Sequence, residues 1–200
     1  MGRCSSARSR FTDTDGRNAP VLPTLDTQRL TLRSLVDADV PALFAIFKEP
    51  EAMRYWTSPA MTHIAEAATL LREIQHHAEA KTLFQWGIAR REDDLVIGTC
   101  TLFRIDRPHR RGELGYIVRR DFWGRGLATE ALTALIHHAF GTLDLHRLEA
   151  DIDPRNAASI RLVQRLGFQE EGRLRERYFV GDEIQDSVIY GLLAPDWRTR

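Results

Sequence analysis

The stretch Phe122-Trp123-Gly124-Arg125-Gly126-Leu127-Ala128-Thr129-Glu130 sets two glycines and an arginine directly before a long apolar-patterned segment. Glycine lets a backbone approach a ligand closely and takes up conformations closed to other residues. A helix starting near Leu127 adds unpaired N–H groups and the positive end of its dipole. Those features suit a phosphate. A glycine pair also serves simply to part a strand from a helix, so the surroundings decide. From Arg104 to Arg125 there are seven arginines against three acids, in a chain whose Lys plus Arg and Asp plus Glu both total 28. This local basic concentration favours a polyphosphate ligand.

Working outward, Leu127 to about Phe140 reads as a helix with a wide stripe of Leu127, Ala131, Leu132, Leu135, Ile136 and Ala139, suited to packing on a sheet. Glu113 to Val118 before the loop is a strand. Leu145 to Asp153 after the helix alternates, Leu148, Ala150 and Ile152 against Arg147, Glu149, Asp151 and Asp153. Asn156 caps a short helix that ends at Gly167. Upstream, Arg29 to Arg33 alternates as a first strand, Asp37 to Lys48 and Thr62 to about Lys81 have helical spacing, and Asp37 or Asp39 can cap the first helix. Phe84 to Arg90 and Val96 to Ile105 form a hairpin turning at Arg91 to Asp94. Tyr178 to Leu193 reads as two short strands about Gly181-Asp182. The order implies a mixed α/β (α+β) fold with helices on both faces of one central sheet.

The chain has 200 residues, 43% of them hydrophobic and 8% aromatic, enough for a core in one domain. Residues 1–23 are polar and are expected to be a flexible tail, with a single domain over 24–200. Zero formal charge argues against a nucleic-acid partner. Two cysteines, Cys4 and Cys100, give neither a disulfide framework nor metal-ligand spacing. No run approaches the roughly 20 apolar residues of a membrane span and no apolar signal core follows the first arginines. The expectation is a cytoplasmic protein, monomer or homodimer, without metal or membrane. The adjacent pairs His76-His77 and His137-His138 are read as surface or packing residues.

Two other phosphate ligands fail on context. Gly124 to Thr129 nearly matches a dinucleotide fingerprint, but that motif follows its strand at once, and here Arg119 to Trp123 intervene. No Lys-Ser or Lys-Thr pair follows the loop, which removes a Walker-type nucleotide site.

Taken together, Glu113-Leu-Gly-Tyr-Ile-Val118, Phe122 to Ala131 and Asp153-Pro-Arg-Asn-Ala-Ala-Ser-Ile-Arg-Leu-Val-Gln-Arg-Leu-Gly-Phe168 resemble the GCN5-related N-acetyltransferase (GNAT) superfamily. Within it, the chain is most similar to the ribosomal-protein N-terminal acetyltransferase-like (RimJ/RimL-like) branch. The resemblance runs from about Leu25 to Trp197, and includes Thr27 to Arg33 and Asp186 to Leu193. It implies the GNAT fold, a central, mostly antiparallel twisted sheet with helices on both faces, and acetyl-CoA as co-substrate. The family's diphosphate loop has Gln or Arg, two free positions, Gly, one free position, then Gly or Ala. Here these fall on Trp123, Gly126 and Ala128, so Trp123 departs from the general pattern. By the resemblance, Trp123, Gly124, Arg125, Gly126, Leu127, Ala128 and Thr129 form the loop, with the N–H groups of Arg125 to Thr129 on the diphosphate. Ile117 and Val118 would hold the pantetheine arm by strand-like hydrogen bonds, with Asn156 on its other side.

Acetyl transfer to an amine needs a neutral amine, a polarised carbonyl and a proton for the leaving thiolate. Glu113, Glu149 and Asp151 are the carboxylates placed to act as base; Glu113 and Asp151 are preferred. Asp151 lies where several relatives place a basic carboxylate, five residues before Asn156. Many members supply a tyrosine acid seven residues after that asparagine. Here the position is Val163, leaving Ser159, Tyr178 or solvent. A backbone N–H near Val118 would hold the oxyanion. Tyr55 and Trp56 stand where relatives shape the acceptor pocket. The acceptor is an amine, either a protein N-terminus or a small molecule. The competing expectation is a non-catalytic acyl-CoA-binding regulatory protein of the same fold.

Overall fold

The computed structural model describes residues 22–198. The expected tail lies outside the described residues except for Leu22 and Pro23, and these two correct its boundary. Leu22 is buried in the core, and the Pro23 carbonyl accepts from Trp86 Nε1 at 2.9 Å.

Among the described residues eight strands form one sheet. In chain order they are β1 (Leu25–Asp26), β2 (Leu30–Arg33), β3 (Leu83–Arg90), β4 (Val96–Asp106), β5 (Arg111–Val118), β6 (Arg147–Ile152), β7 (Gln169–Val180) and β8 (Glu183–Leu193). Their spatial order is β1-β2-β3-β4-β5-β6-β8-β7. Every neighbouring pair is antiparallel except β5 and β6, which run parallel. Parallel strands need a crossover, and α4 (Leu127–Gly141) supplies it. The β5–β6 register runs Arg111↔Arg147, Gly112↔Leu148 and Glu113↔Glu149, then stops. Yet β5 continues to Val118 and β6 to Ile152. The two strands part there, and each keeps its other neighbour, Val118 opposite Gly98 and Ile152 opposite Val188.

One face of the sheet carries α4 and α5 (Ala157–Arg165); the other carries α1 (Val40–Phe47), the one-turn α2 (Pro50–Met53) and α3 (Ile64–Ala80). All six apolar positions foreseen on α4 are buried. A fully buried Leu or Ile stabilises by roughly 1.5–3 kcal/mol, so this stripe fixes the crossover helix, and with it the loop at its N-terminus. Val163 of α5 is fully buried in the same core, where a phenol would have no route to solvent.

Several elements depart from the sequence reading. The first helix is a 3-10 turn, Asp37–Asp39, followed by α1, and Asp39 does not cap forward. Its carboxylate takes the Val36 N–H at 2.9 Å and Arg33 at 2.8 Å instead. β1, α2 and α6 (Ala194–Arg198) were not anticipated, and β7 begins at Gln169 rather than near Tyr178. That strand is almost wholly exposed on both faces, Gln-Glu-Glu-Gly-Arg-Leu-Arg-Glu-Arg, so it has no apolar alternation to reveal it. It is the sheet edge. Two register shifts and a left-handed Glu176 (φ 54°) blunt it against pairing with another chain.

Candidate active site

The loop between β5 and α4 is built around two left-handed glycines, Gly124 (φ 72°) and Gly126 (φ 75°). Gly126 caps α4 without any side-chain hydrogen bond, and the N–H groups of Arg125 to Thr129 have no partner among the described residues. Five convergent donors at a helix N-terminus fit an anionic diphosphate. Glu130 ties this end of α4 to the start of β2. It accepts from Thr27 Oγ1, Arg29 N–H and Arg29 Nε, each at 2.7 Å. Burial works against its charge, but the bonds from Thr27 and Arg29 outweigh that and hold its carboxyl below the ordinary value. Arg29 also donates to the Arg125 carbonyl at 3.0 Å. The guanidinium groups of Arg119, Arg125 and Arg90 lie 4.8, 5.2 and 5.3 Å from the Phe122 ring centre. The arginine concentration read from the sequence therefore gathers in part beside the loop.

Trp123 is half-exposed, and its Nε1 donates to the Val118 carbonyl at 2.6 Å, which ties the loop to the end of β5. Arg119 N–H bonds Ile97 on β4. Alternation along the strand turns the main-chain groups of Ile117 the same way, into the β4 ladder, and those of Val118 toward the parting with β6. The expectation of paired strand-like contacts is corrected accordingly. Val118 offers a free N–H there, while Ile117 is spent on β4.

A cavity of about 580 Å³ opens where the strands part. Consecutive residues Glu113 to Tyr116 of β5, Ala150 to Ile152 of β6 and Asp153 just after it line the cavity. Successive strand residues point to opposite faces, so the cavity passes through the gap between the strands. Glu113, Asp151, Asn156, Ser159 and Tyr178 all reach it, as do Tyr55 and Trp56. Trp56 also packs edge-on against Phe47, ring centres 5.8 Å apart. The loop lies at the other end of β5, so one strand joins the two halves of the site.

The two preferred carboxylates differ sharply. Glu113 is buried, and its Oε2 accepts from Arg104 at 2.8 Å while Oε1 has no hydrogen-bond partner among the described residues. Burial raises its carboxyl above the ordinary range; Arg104 opposes this, and nearby Asp151 and Glu149 add to it. Asp151 is saturated. Its Oδ2 takes Tyr178 Oη at 2.7 Å and Arg177 Nε at 2.9 Å, and its Oδ1 takes a short bond from Ser187. Glu149 is engaged by Arg147 at 2.7 Å.

The hydroxyls divide in the same way. Burial and the bond to Asp151 raise the Tyr178 phenol above its ordinary value. Ser159 Oγ lies 2.6 Å from the Tyr116 hydroxyl, across the gap between α5 and β5. Burial pushes the Tyr116 phenol up to about 12. Asn156 Oδ1 accepts the Ser159 N–H at 3.1 Å as the cap of α5, which leaves its amide nitrogen for a ligand. Sequence reasoning missed Tyr116, although it sits within the quoted strand motif, and also Arg29, Arg104 and Glu130, whose roles depend on tertiary pairing. His76, His77 and His137 are exposed and His138 is buried. Among the described residues no cluster of three or more His, Cys, Asp or Glu is placed to hold a metal, and no helix is long and apolar enough to cross a membrane.

Comparison with known proteins fits this geometry. The family model described as "Acetyltransferase (GNAT) domain" matches residues 29–169. "Uncharacterized N-acetyltransferase YoaA" of Bacillus subtilis (strain 168) is 33% identical over 175 residues, covering 88% of this chain and 99% of the relative. The "[Ribosomal protein uS5]-alanine N-acetyltransferase" of Escherichia coli (strain K12) is 32% identical over 115 residues, 57% of this chain and 59% of that protein. The solved structure of a "Probable acetyltransferase" superposes with a TM-score of 0.78 at 26% identity, covering 87% of this chain and 98% of that one.

Proposed function

The chain belongs to the GNAT acetyltransferase family and is an acetyl-CoA-dependent N-acetyltransferase, and from that premise we propose that it transfers the acetyl group directly to a primary amine, a protein N-terminus or a small-molecule amine, inside a ternary complex. The observation that carries this reading is the opening of the β5–β6 ladder after Glu113↔Glu149, with Glu113 on the cavity and the unpaired loop amides at the other end of the same strand.

In this reading the amides of Arg125 to Thr129 hold the diphosphate, Arg29 and Arg125 add positive charge beside it, and the Asn156 amide and Val118 N–H orient the pantetheine arm. Glu113 takes the proton from the acceptor ammonium. Its raised carboxyl and free Oε1 suit it better than Asp151, which we assign to positioning Tyr178. The neutral amine forms the N–C bond to the thioester carbon, and a main-chain N–H of β5 receives the developing oxyanion. As the C–S bond breaks, its electron pair leaves on sulfur. Ser159, relayed by Tyr116, gives sulfur its proton, because the Tyr178 proton is already committed to Asp151; the proton that nitrogen sheds on becoming an amide passes to solvent in the cavity, and solvent returns one to the Tyr116–Ser159 pair.

Initial rates of thiol release, with acetyl-CoA and an amine varied together, test the order of events. Intersecting double-reciprocal lines support direct transfer. Parallel lines, with an acetylated enzyme isolated in the absence of amine, would overturn it.

A further inference from the structure

The cavity floor holds two buried polar side chains with nothing to bond. Gln85 of β3 and Thr101 of β4 are opposite each other in the ladder, and both line the cavity. Each is at least nine-tenths buried (8% and 9% exposed), and among the described residues neither side chain has a hydrogen-bond partner. The next β5 residue in that row is Gly115, which has no side chain to cover them. Polar groups this deep can be met only through the cavity, so an amide beside a hydroxyl, each without a protein partner, offers a ligand there two hydrogen bonds.

The charges around the cavity narrow the ligand's chemistry. Asp151 is paired with Arg177, Asp153 with Arg155, Asp186 with Arg173, and Glu113 keeps one free oxygen beside Arg104. Glu66, the other lining carboxylate, has no cation beside it among the described residues; its Oε1 is taken by the Thr62 and His63 N–H groups at the start of α3, away from Gln85 and Thr101 in sequence. Gln85 and Thr101 can each donate and accept, which matches a neutral group that does both. Thr101 is diagonal to Glu113 across the β4–β5 pair, and such neighbours stand roughly 7–8 Å apart. Both side chains stand on the same face of the sheet, so an amide one carbon from the amine can bond at Thr101 while the amine meets Glu113.

We propose that Gln85 and Thr101 form an acceptor subsite that binds a neutral amide carried next to the reacting amine; the inference rests on reading this cavity as the acceptor site. The test compares alaninamide and the dipeptide amide Ala-Ala-NH2 with 2-amino-3-methylbutane, an amide-free amine of similar shape. Thiol release is corrected for the neutral fraction of each amine.

Wild type is expected to favour alaninamide by about 10-fold or more in kcat/KM, the worth of one or two neutral hydrogen bonds. Gln85→Met and Thr101→Val should each bring that ratio toward one, chiefly through KM, with the melting temperature held because no bond within the protein is lost. A further gain with Ala-Ala-NH2 identifies a peptide as the source of the amide; equal rates identify a free carboxamide. A wild-type ratio near one, ratios unmoved by both substitutions, or spermine saturating at lower concentration than alaninamide would overturn the subsite. Thiol release with none of these amines, or with any other amine, would instead remove the functional reading beneath it.

Discussion

Arg104 donates to Glu113 Oε2 at 2.8 Å and leaves the carboxylate's other oxygen open at the parting of β5 and β6. If Glu113 is the base, Glu113→Gln should lower kcat by about 10²-fold with little change in acetyl-CoA affinity. Asp151→Asn should act instead through Tyr178, with a smaller loss. A Glu113→Gln enzyme at wild-type rate between pH 6 and 9 would remove Glu113 from the mechanism.

The same pair makes a prediction in pH. Arg104 lowers the Glu113 carboxyl against the upward push of burial. Removing that cation in Arg104→Met should raise it further. The acidic limb of kcat/KM, where the base becomes protonated, then moves to higher pH. A limb that stays in place or moves down contradicts the assignment.

His138 on α4 is buried, its Nε2 has no partner among the described residues, and it packs edge-on to Trp86 at 5.9 Å. Burial lowers its pKa below the ordinary 6.5. The unfolded chain therefore takes up the proton first as pH falls, so stability is intact above 6.5 and declines between 6.5 and the lower folded value. Thermal melts of wild type and His138→Leu from pH 8 to 5 should diverge on the acid side, the variant losing less.

Thr99 Oγ1 is likewise buried without a partner among the described residues, on β4 opposite Ile117. An unsatisfied buried hydroxyl costs about 1–3 kcal/mol, and valine has nearly the same shape. Thr99→Val should raise the melting temperature by roughly 2–4 °C per kcal/mol recovered. A lower melting temperature would show that the hydroxyl has a bonded role.

What the sequence discloses follows how locally each feature is encoded. The α4 stripe and the glycine loop are readable because helical spacing and left-handed glycines act within a few residues, and all six stripe positions are buried as expected. The β7 edge is hidden because both of its faces meet solvent, so no alternation is imposed on it. The carboxylates could be nominated from the strand pattern. Their difference could not, since it depends on Arg177, Tyr178 and Ser187 converging on Asp151 from β7 and β8. Gln85 and Thr101 drew no notice, because only the β3–β4 register sets them side by side at a cavity. The main-chain contact expected of Ile117 failed for a similar reason, strand parity fixed by a bond from Arg119 to Ile97.

The central claim is that the loop after β5 holds the diphosphate of acetyl-CoA, and calorimetric titration of acetyl-CoA into wild type and Gly126→Val tests it most directly. A Cβ at Gly126 meets nothing nearer than Arg29 Nη2 at 3.7 Å, so space around the loop is not the obstacle within the protein. The obstacle is φ 75°, which a β-branched residue resists, together with a side chain intruding where the phosphate approaches the amides. Micromolar binding by wild type, weakened at least tenfold in a folded Gly126→Val protein, is the predicted result. Equal affinity in the two proteins would contradict it.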